Sequence, residues 1–192
     1  PKEVWFESEY NTYVWNGKTY ALPMATGTGM FLLFWNKDHF KEAGLDPETP
    51  PKTWSELKEY SRRLTVKKDS GFQRIGFDPA QAGVAANYIF REWTFLNNGN
   101  ILSADGKKVL FNGPEGVEAL KWMVSFYDDL YGGFDKVQAM VGGAGAAPYR
   151  DAFQAGKVSM LVDGVWVPST LEAQSPNLKF GVGLVPYNDA NP

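Results

Sequence analysis

Apolar and polar positions follow two rhythms along this chain, one of period two and one of helical period, and the switches between them mark out strands and helices. The stretch TYVWNGKTYALP (12–23) sets β-formers on both sides of Asn16-Gly17. That pair is the preferred two-residue turn, so a β-hairpin is predicted, ended by Pro23. After the small residues MATGTG, the run GMFLLFW (29–35) is continuously apolar and of strand length. Apolar on both faces, it predicts a strand buried between layers. Asn36 is placed to cap a short helix reaching Ala43, with Gly44 just beyond its end.

Thr53-Trp54-Ser55-Glu56 has the spacing of a capping box. The helix it opens carries Trp54, Leu57, Tyr60 and Leu64 on one stripe and Lys58, Glu59, Arg62 and Arg63 on the other, a one-faced surface helix. RIGF (74–77) predicts a short strand, DPAQAG a loop, and 87–96 a helix closing in NNGN. Asn112-Gly113-Pro114 starts a further helix, with proline in its first turn. Its apolar arc, from Val117 and Leu120 round to Val124 and Tyr131, is wide enough to predict burial against more than one neighbour. GGAGAAP is predicted as a loop, 149–155 as a short helix stopped by Gly156, and KVSMLVDG and KFGVGLVP as strands. Strands and helices alternating in this way define an α/β fold class.

Composition narrows the functions. The 192 residues suit one domain or one large lobe and are enough to bury a core without staples. With no cysteine, thiol catalysis, disulfides and cysteine metal sites are excluded. A formal charge of -3 leaves no footprint for nucleic acid. The longest apolar run, 30–35, is far too short to cross a bilayer. The chain opens on Pro1 and stops at Pro192 just after a predicted strand, so a mature or excised fragment is expected.

Catalytic motifs do not emerge. His39 is the single histidine, in a short helix among charged neighbours, and a solvated or half-buried structural role is expected of it. No serine sits in a G-x-S-x-G elbow, no second histidine builds a metal pair, and TGTG lacks phosphate-loop spacing. Asp128 and Asp129 are helical neighbours pointing about 100° apart, a solvated face rather than a dyad. No metal and no cofactor are expected. The seven Trp, nine Tyr and thirteen Phe stand out. Such rings either fill a core or line a cleft, where flat faces suit the C–H faces of sugars.

Five pieces in order carry a resemblance: GKTYALP before an apolar strand; WNKDHFKEAGLD; PPKTWSELKEYSRRL; NNG followed by GPEGVEALKWM; and AFQAGKVSMLVDGVW closing with FGVGLVPY. Together, over residues 17–187, they resemble the extracellular solute-binding proteins of ABC importers, in the maltose-binding branch. The resemblance implies a periplasmic-binding-protein-like lobe with a central sheet flanked by helices. Whole members have two lobes that close by hinge bending. Residues 23–188 would be the second lobe, 1–22 an extension bearing the hairpin, and the first lobe absent. Crossovers would lie at 23–29 and 184–187.

The implied function is to bind a mono- or oligosaccharide and deliver it to the membrane subunits of an ABC importer, without catalysis. The implied location is periplasmic or extracellular, with a lipoprotein anchor compatible. The implied ligand residues are Thr26 and Thr28, where the maltose-binding branch has a carboxylate, then Asn87, Tyr88 and Trp93, and finally Trp166 as a stacking ring. Asp163 is expected to cap the turn backbone. A sugar-active hydrolase, a lectin-like module, or a binder of a glycerol phosphate ester or another polar metabolite remain alternatives. Strand edges uncovered by the missing lobe imply self-association of the isolated lobe, with the hairpin around Asn16-Gly17 as the segment that pairs or swaps.

Overall fold

The apolar run becomes strand β3 (Phe31–Asn36), and the remaining elements are arranged around it. The computed structural model describes residues 2–23, 31–69, 71–81, 86–141 and 148–191. β3 is the middle strand of a three-stranded sheet, flanked by β6 (Met160–Gly164) and β7 (Phe180–Gly183), both antiparallel to it. Leu33, Phe34 and Trp35 are buried, as a strand covered on both faces requires. Phe31 lies opposite Gly164 and Leu33 opposite Gly183. The start of β3 and the ends of β6 and β7 therefore share one edge of the sheet. Trp35 lies across β7, and a Cβ at Gly181 would come within 2.1 Å of its ring.

The local signals act as predicted at several ends. Asn36 accepts hydrogen bonds from the N–H groups of Asp38 and His39, both at 3.0 Å, and so caps α2 (Lys37–Glu42). Gly44 follows in left-handed conformation, and Leu45 N–H returns to the Phe40 carbonyl at 2.8 Å, satisfying the helix end. In α3 (Trp54–Leu64) the Thr53 hydroxyl accepts from Glu56 N–H at 3.2 Å. The reciprocal bond differs from a capping box: the Glu56 carboxylate accepts from Lys52 N–H at 2.6 Å. Lys52 and Trp54 meanwhile bracket Tyr187, exchanging backbone bonds with it across the Thr53–Tyr187 bridge. Pro186 and Tyr187, at the end of the expected crossover 184–187, thus lie against the N-terminus of α3, with Trp54 Nε1 donating to the Pro186 carbonyl at 3.1 Å. Asn188 continues this docking by donating to Asn97 Oδ1 at 2.7 Å. Of the other expected crossover, 23–29, residues 24–29 lie outside the described residues, as does the glycine-rich stretch 142–147.

The hairpin forms as predicted: β1 (Val14–Trp15) pairs with β2 (Lys18–Thr19), with Asn16 at φ 48° and Gly17 at φ 74°. It follows a short helix, α1 (Glu7–Asn11), and leaves Phe6, Trp15 and Tyr20 exposed. The strand expected at 74–77 lies earlier. β5 (Gly71–Arg74) pairs with β4 (Val66–Lys68), while Ile75 forms a parallel bridge with Val158 beyond it.

Further helices pack around the sheet, among them α4 (Ala86–Phe95), α6 (Phe134–Val141) and α7 (Pro148–Gln154), the last stopped at Gly156 with φ 72°. α5 (Pro114–Phe126) packs on α4 and continues into a π-helical turn, Tyr127–Tyr131. Only part of its wide apolar arc is covered. Ala119, Met123 and Phe126 are buried, whereas Val124 is exposed and Val117 and Leu120 remain exposed beside Phe90 and Phe111. As predicted, more than one neighbour packs on α5: besides α4, α3 lays Trp54 on Trp122 at 4.3 Å and reaches Ser125 through Lys58 at 2.7 Å, and the arc turned away from both stays open.

Candidate functional site

The candidate edge is built by the turn after β6. Asp163 Oδ1 accepts from Gly164 N–H at 2.7 Å, a local bond that shapes the turn. The chain then enters α8 (Val167–Gln174), with Trp166 at the position before the first helical residue and Pro168 in the first turn. The Trp166 carbonyl accepts from the Ser169 hydroxyl at 2.9 Å, which fixes the backbone under the indole. The ring lies against Gly164: a Cβ there would fall 2.2–2.4 Å from three of its carbons. Only glycine permits so close an approach. One face of the ring is thereby supported, while the side chain stays 41% exposed.

A second support comes from the loop after β5. Asp78 is buried and accepts hydrogen bonds from the hydroxyls of both Tyr127 and Tyr149, and from Ala80 N–H at 3.1 Å. Burial pushes its carboxyl above the usual range, and these donors pull it back down. Gln81, in left-handed backbone, donates from Nε2 to the Val162 carbonyl at 2.8 Å, stitching this loop to β6. Sequence reading missed this network, because its members are 49 and 71 residues apart. The only local hint was a tyrosine-rich turn next to a helix.

The predicted residues do not all meet. Tyr88, on α4, is 48% exposed, with the Arg91 guanidinium 5.6 Å from its ring centroid. Asn87 lies in α4, but its side chain is outside the described part, and Thr26 and Thr28 are outside it altogether. Trp93 must be corrected. Its ring is fully buried, donates from Nε1 to the Pro79 carbonyl at 2.9 Å, and is enclosed by Trp54, Phe77 and Trp122. Trp93 stands four residues after Ile89, so both face the core as α4 packs on α5. It cannot stack on a ligand.

His39 is more buried than expected, though its role is structural. Its Nδ1 lies 3.0 Å from the Ser159 hydroxyl, and burial, helped by the Arg74 charge, holds its pKa down at about 4. Among the described residues, no three His, Asp or Glu side chains gather as a metal set. No described helix is long and apolar enough to cross a membrane.

A sheet flanked by helices, with a glycine-backed indole at the sheet edge, describes an α/β ligand-binding domain. The chain belongs to the family of bacterial extracellular solute-binding proteins, whose model matches residues 1–191. It is similar to the mannobiose-bound structure of CpMnBP1, with 32% identity and a TM-score of 0.78, covering 97% of this chain and 46% of that one. It is 34% identical, over 60% of its length and 26% of the relative's, to the sn-glycerol-3-phosphate-binding periplasmic protein of Shigella flexneri. A Brucella abortus (strain 2308) protein, named for binding alone, matches 96% of the chain at 29% identity. The chain spans 42% of that relative's length.

Proposed function

We propose that this chain is the second, ligand-binding lobe (23–188) of a sugar-binding protein that serves an ABC importer, preceded by an extension carrying the hairpin. The observation that carries the sugar reading is Trp166: an indole backed by Gly164 and 41% exposed, just after the end of a strand. Such a face suits the C–H surface of a pyranose, with polar groups beside it for the hydroxyls. The similarity to a mannobiose-bound protein supports a neutral oligosaccharide as ligand. Tyr88 stands as a second candidate ring, and Asn87, Thr26 and Thr28 as candidate polar contacts. Binding occurs without turnover, in the periplasm or outside the cell, and the importer's membrane subunits are the protein partner. Cut free of a facing lobe, the domain self-associates and holds sugar weakly, because the dry enclosed cleft does not form.

The test is calorimetric titration of the natural-length protein with mannobiose, maltose and sn-glycerol 3-phosphate, with chromatography of the sugars after incubation. Sugar binding with intact oligosaccharide is the expected outcome. New products would establish a hydrolase instead. The second reading, a glycerol phosphate ester as ligand, is favoured by the 34% identity to a protein of that specificity. Binding of the phosphate ester to the exclusion of sugars would establish it.

A further inference from the structure

The pair Asn-Gly occurs three times, at 16–17, 98–99 and 112–113. It is a reactive pair. The backbone nitrogen after an asparagine attacks that residue's own side-chain amide, and a glycine there has no side chain to block the approach. The attack needs a glycine nitrogen that is not held elsewhere and a backbone free to swing toward the amide. The fold meets these needs differently at the three places. Gly99 is buried and its N–H donates to the Thr94 carbonyl at 2.9 Å, while the Asn98 amide donates to the Asn191 carbonyl at 3.1 Å. The space around Gly99 is closed too: a Cβ there would lie 2.8–2.9 Å from atoms of Thr94 and Glu115. Gly113 caps α5 and is held from both sides, its N–H on the Leu110 carbonyl at 2.8 Å and its carbonyl under Val117 N–H at 3.0 Å. Asn16 and Gly17 are both exposed, and Gly17 N–H has no acceptor among the described residues. Apart from its chain neighbours, nothing lies within 4 Å of a Cβ built on Gly17. The strands that hold this turn are two residues each, so the hairpin is marginal and opens locally at small cost.

We propose that Asn16 is a site of spontaneous covalent modification, and that its isoaspartate product undoes the N-terminal hairpin. The Gly17 nitrogen bonds to Asn16 Cγ as the Cγ–Nδ2 bond breaks, and the side-chain amide leaves as ammonia with the Gly17 proton. Water then opens the cyclic imide at either carbonyl. Opening at Cγ leaves aspartate in an ordinary backbone, and the hairpin persists, since Asp-Gly suits the same turn. Opening at the backbone carbonyl leaves isoaspartate, with the chain rerouted through the side chain. The net change is amide plus water to carboxylic acid plus ammonia, with no oxidation or reduction. The isoaspartate route puts Cβ into the backbone and lengthens the turn. That turn closes with Asn16 at φ 48° and Gly17 at φ 74°, which sets Trp15 opposite Lys18. A longer linkage does not hold this register. The pairing of Val14 with Thr19 is lost with it, as is the hydroxyl bond between Tyr10 and Thr19 at 2.7 Å. The inference does not depend on which ligand the domain binds.

To test this, the natural-length protein is aged in mildly alkaline buffer, folded and in urea, then digested for mass spectrometry, with isoaspartate read by its enzymatic methylation. In the folded protein Asn16 should convert at least about tenfold faster than Asn98 or Asn112, because a held site reacts only after a costlier opening. In urea the three rates should converge. Asn16→Gln should stay intact at this position, since the longer side chain closes a less favourable ring. Equal rates at the three sites in the folded protein would overturn the assignment. So would an Asn16 that stays intact in the folded protein while the urea sample converts. Amide hydrogen exchange tests the second half. Tyr20 N–H, bonded to the Tyr13 carbonyl at 3.0 Å, should exchange at least about tenfold faster in the isoaspartate form, and at the intact rate in freshly made Asn16→Asp. Unchanged Tyr20 exchange in the isoaspartate form, or equal acceleration in Asn16→Asp, would overturn the loss of the hairpin by rerouting.

Discussion

Trp93 and Trp166 are the same side chain in opposite settings. Trp93 sits mid-helix, and every face of its ring meets another aromatic or the helix itself. Trp166 sits at a helix entrance after a turn, against a residue with no side chain. The first position is decided by what α3, the segment after β5 and α5 bring from elsewhere in the chain. The second is decided within four residues, by the Asp163–Gly164 turn and the start of α8. Interior aromatics hold the fold, and the rim aromatic, half-exposed, is the one proposed to meet a ligand. Substitutions that affect the two regions differently test this division.

The largest effect is expected inside. Trp93→Ala should destabilise the protein by about 3–5 kcal/mol, since it empties a core position and frees the Pro79 carbonyl. Urea unfolding measures this. Ligand affinity of the fraction that stays folded should be unchanged. A loss below about 1 kcal/mol would break the comparison, because it would make Trp93 no more structural than an ordinary surface residue.

Acid tests the interior in another way. His39 is neutral in the fold, with its pKa held at about 4 against a reference of 6.5. A depressed histidine contributes stability that is complete above the unfolded pKa and is lost as pH falls through the folded one. Between pH 6.5 and 4 the protein should lose roughly 3 kcal/mol from this group, since each pH unit in that window costs about 1.36 kcal/mol. His39→Gln should flatten that part of the stability–pH curve. A curve unchanged by the substitution would remove His39 from the groups that hold the interior together.

Gly164→Ala addresses the rim. The new methyl group would lie 2.2 Å from the Trp166 ring, so the ring must leave its place. Overpacking of this kind costs about 1–3 kcal/mol. The expected signature is a loss of sugar affinity together with a shift in tryptophan fluorescence, without the larger unfolding effect of Trp93→Ala.

Much of this division was legible in the chain itself, but unevenly. Asn36, Gly44, Thr53 and Asn16-Gly17 act through bonds to residues within a few positions, so their roles could be read locally. The strands β3, β6 and β7 were visible as apolar runs. The inward face of α4 was not. Tyr88, Ile89, Phe90, Trp93 and Phe95 surround that helix with apolar groups, and local periodicity cannot choose among them. Only packing against α5 settles that Ile89 and Trp93 go inside while Tyr88 stays out. The same limit hid the Asp78 network and the docking of Tyr187 on the start of α3, which depend on partners far away in sequence. β4 escaped notice because Val66–Lys68 is two-thirds lysine and carries no apolar alternation.

The smallest stability effect should come from the residue with the largest proposed role. Trp166 packs mainly on Gly164 and leaves much of its ring in solvent, so truncation removes few buried contacts. Its carbonyl bonds to Ser169 and Thr170 involve backbone and survive the change to alanine. Trp166→Ala should therefore cost about 1 kcal/mol of stability, the centre of the range for ordinary substitutions. Sugar affinity should nevertheless fall by at least about tenfold, equivalent to about 1.4 kcal/mol, because the stacking face itself is gone. Trp166→Phe keeps a flat ring over Gly164 and should recover part of that loss. Unfolding curves and calorimetry on the same samples separate the two quantities. If Trp166→Ala lowered stability as much as Trp93→Ala while leaving affinity intact, the two tryptophans would be alike, and the rim would have to bind its ligand elsewhere.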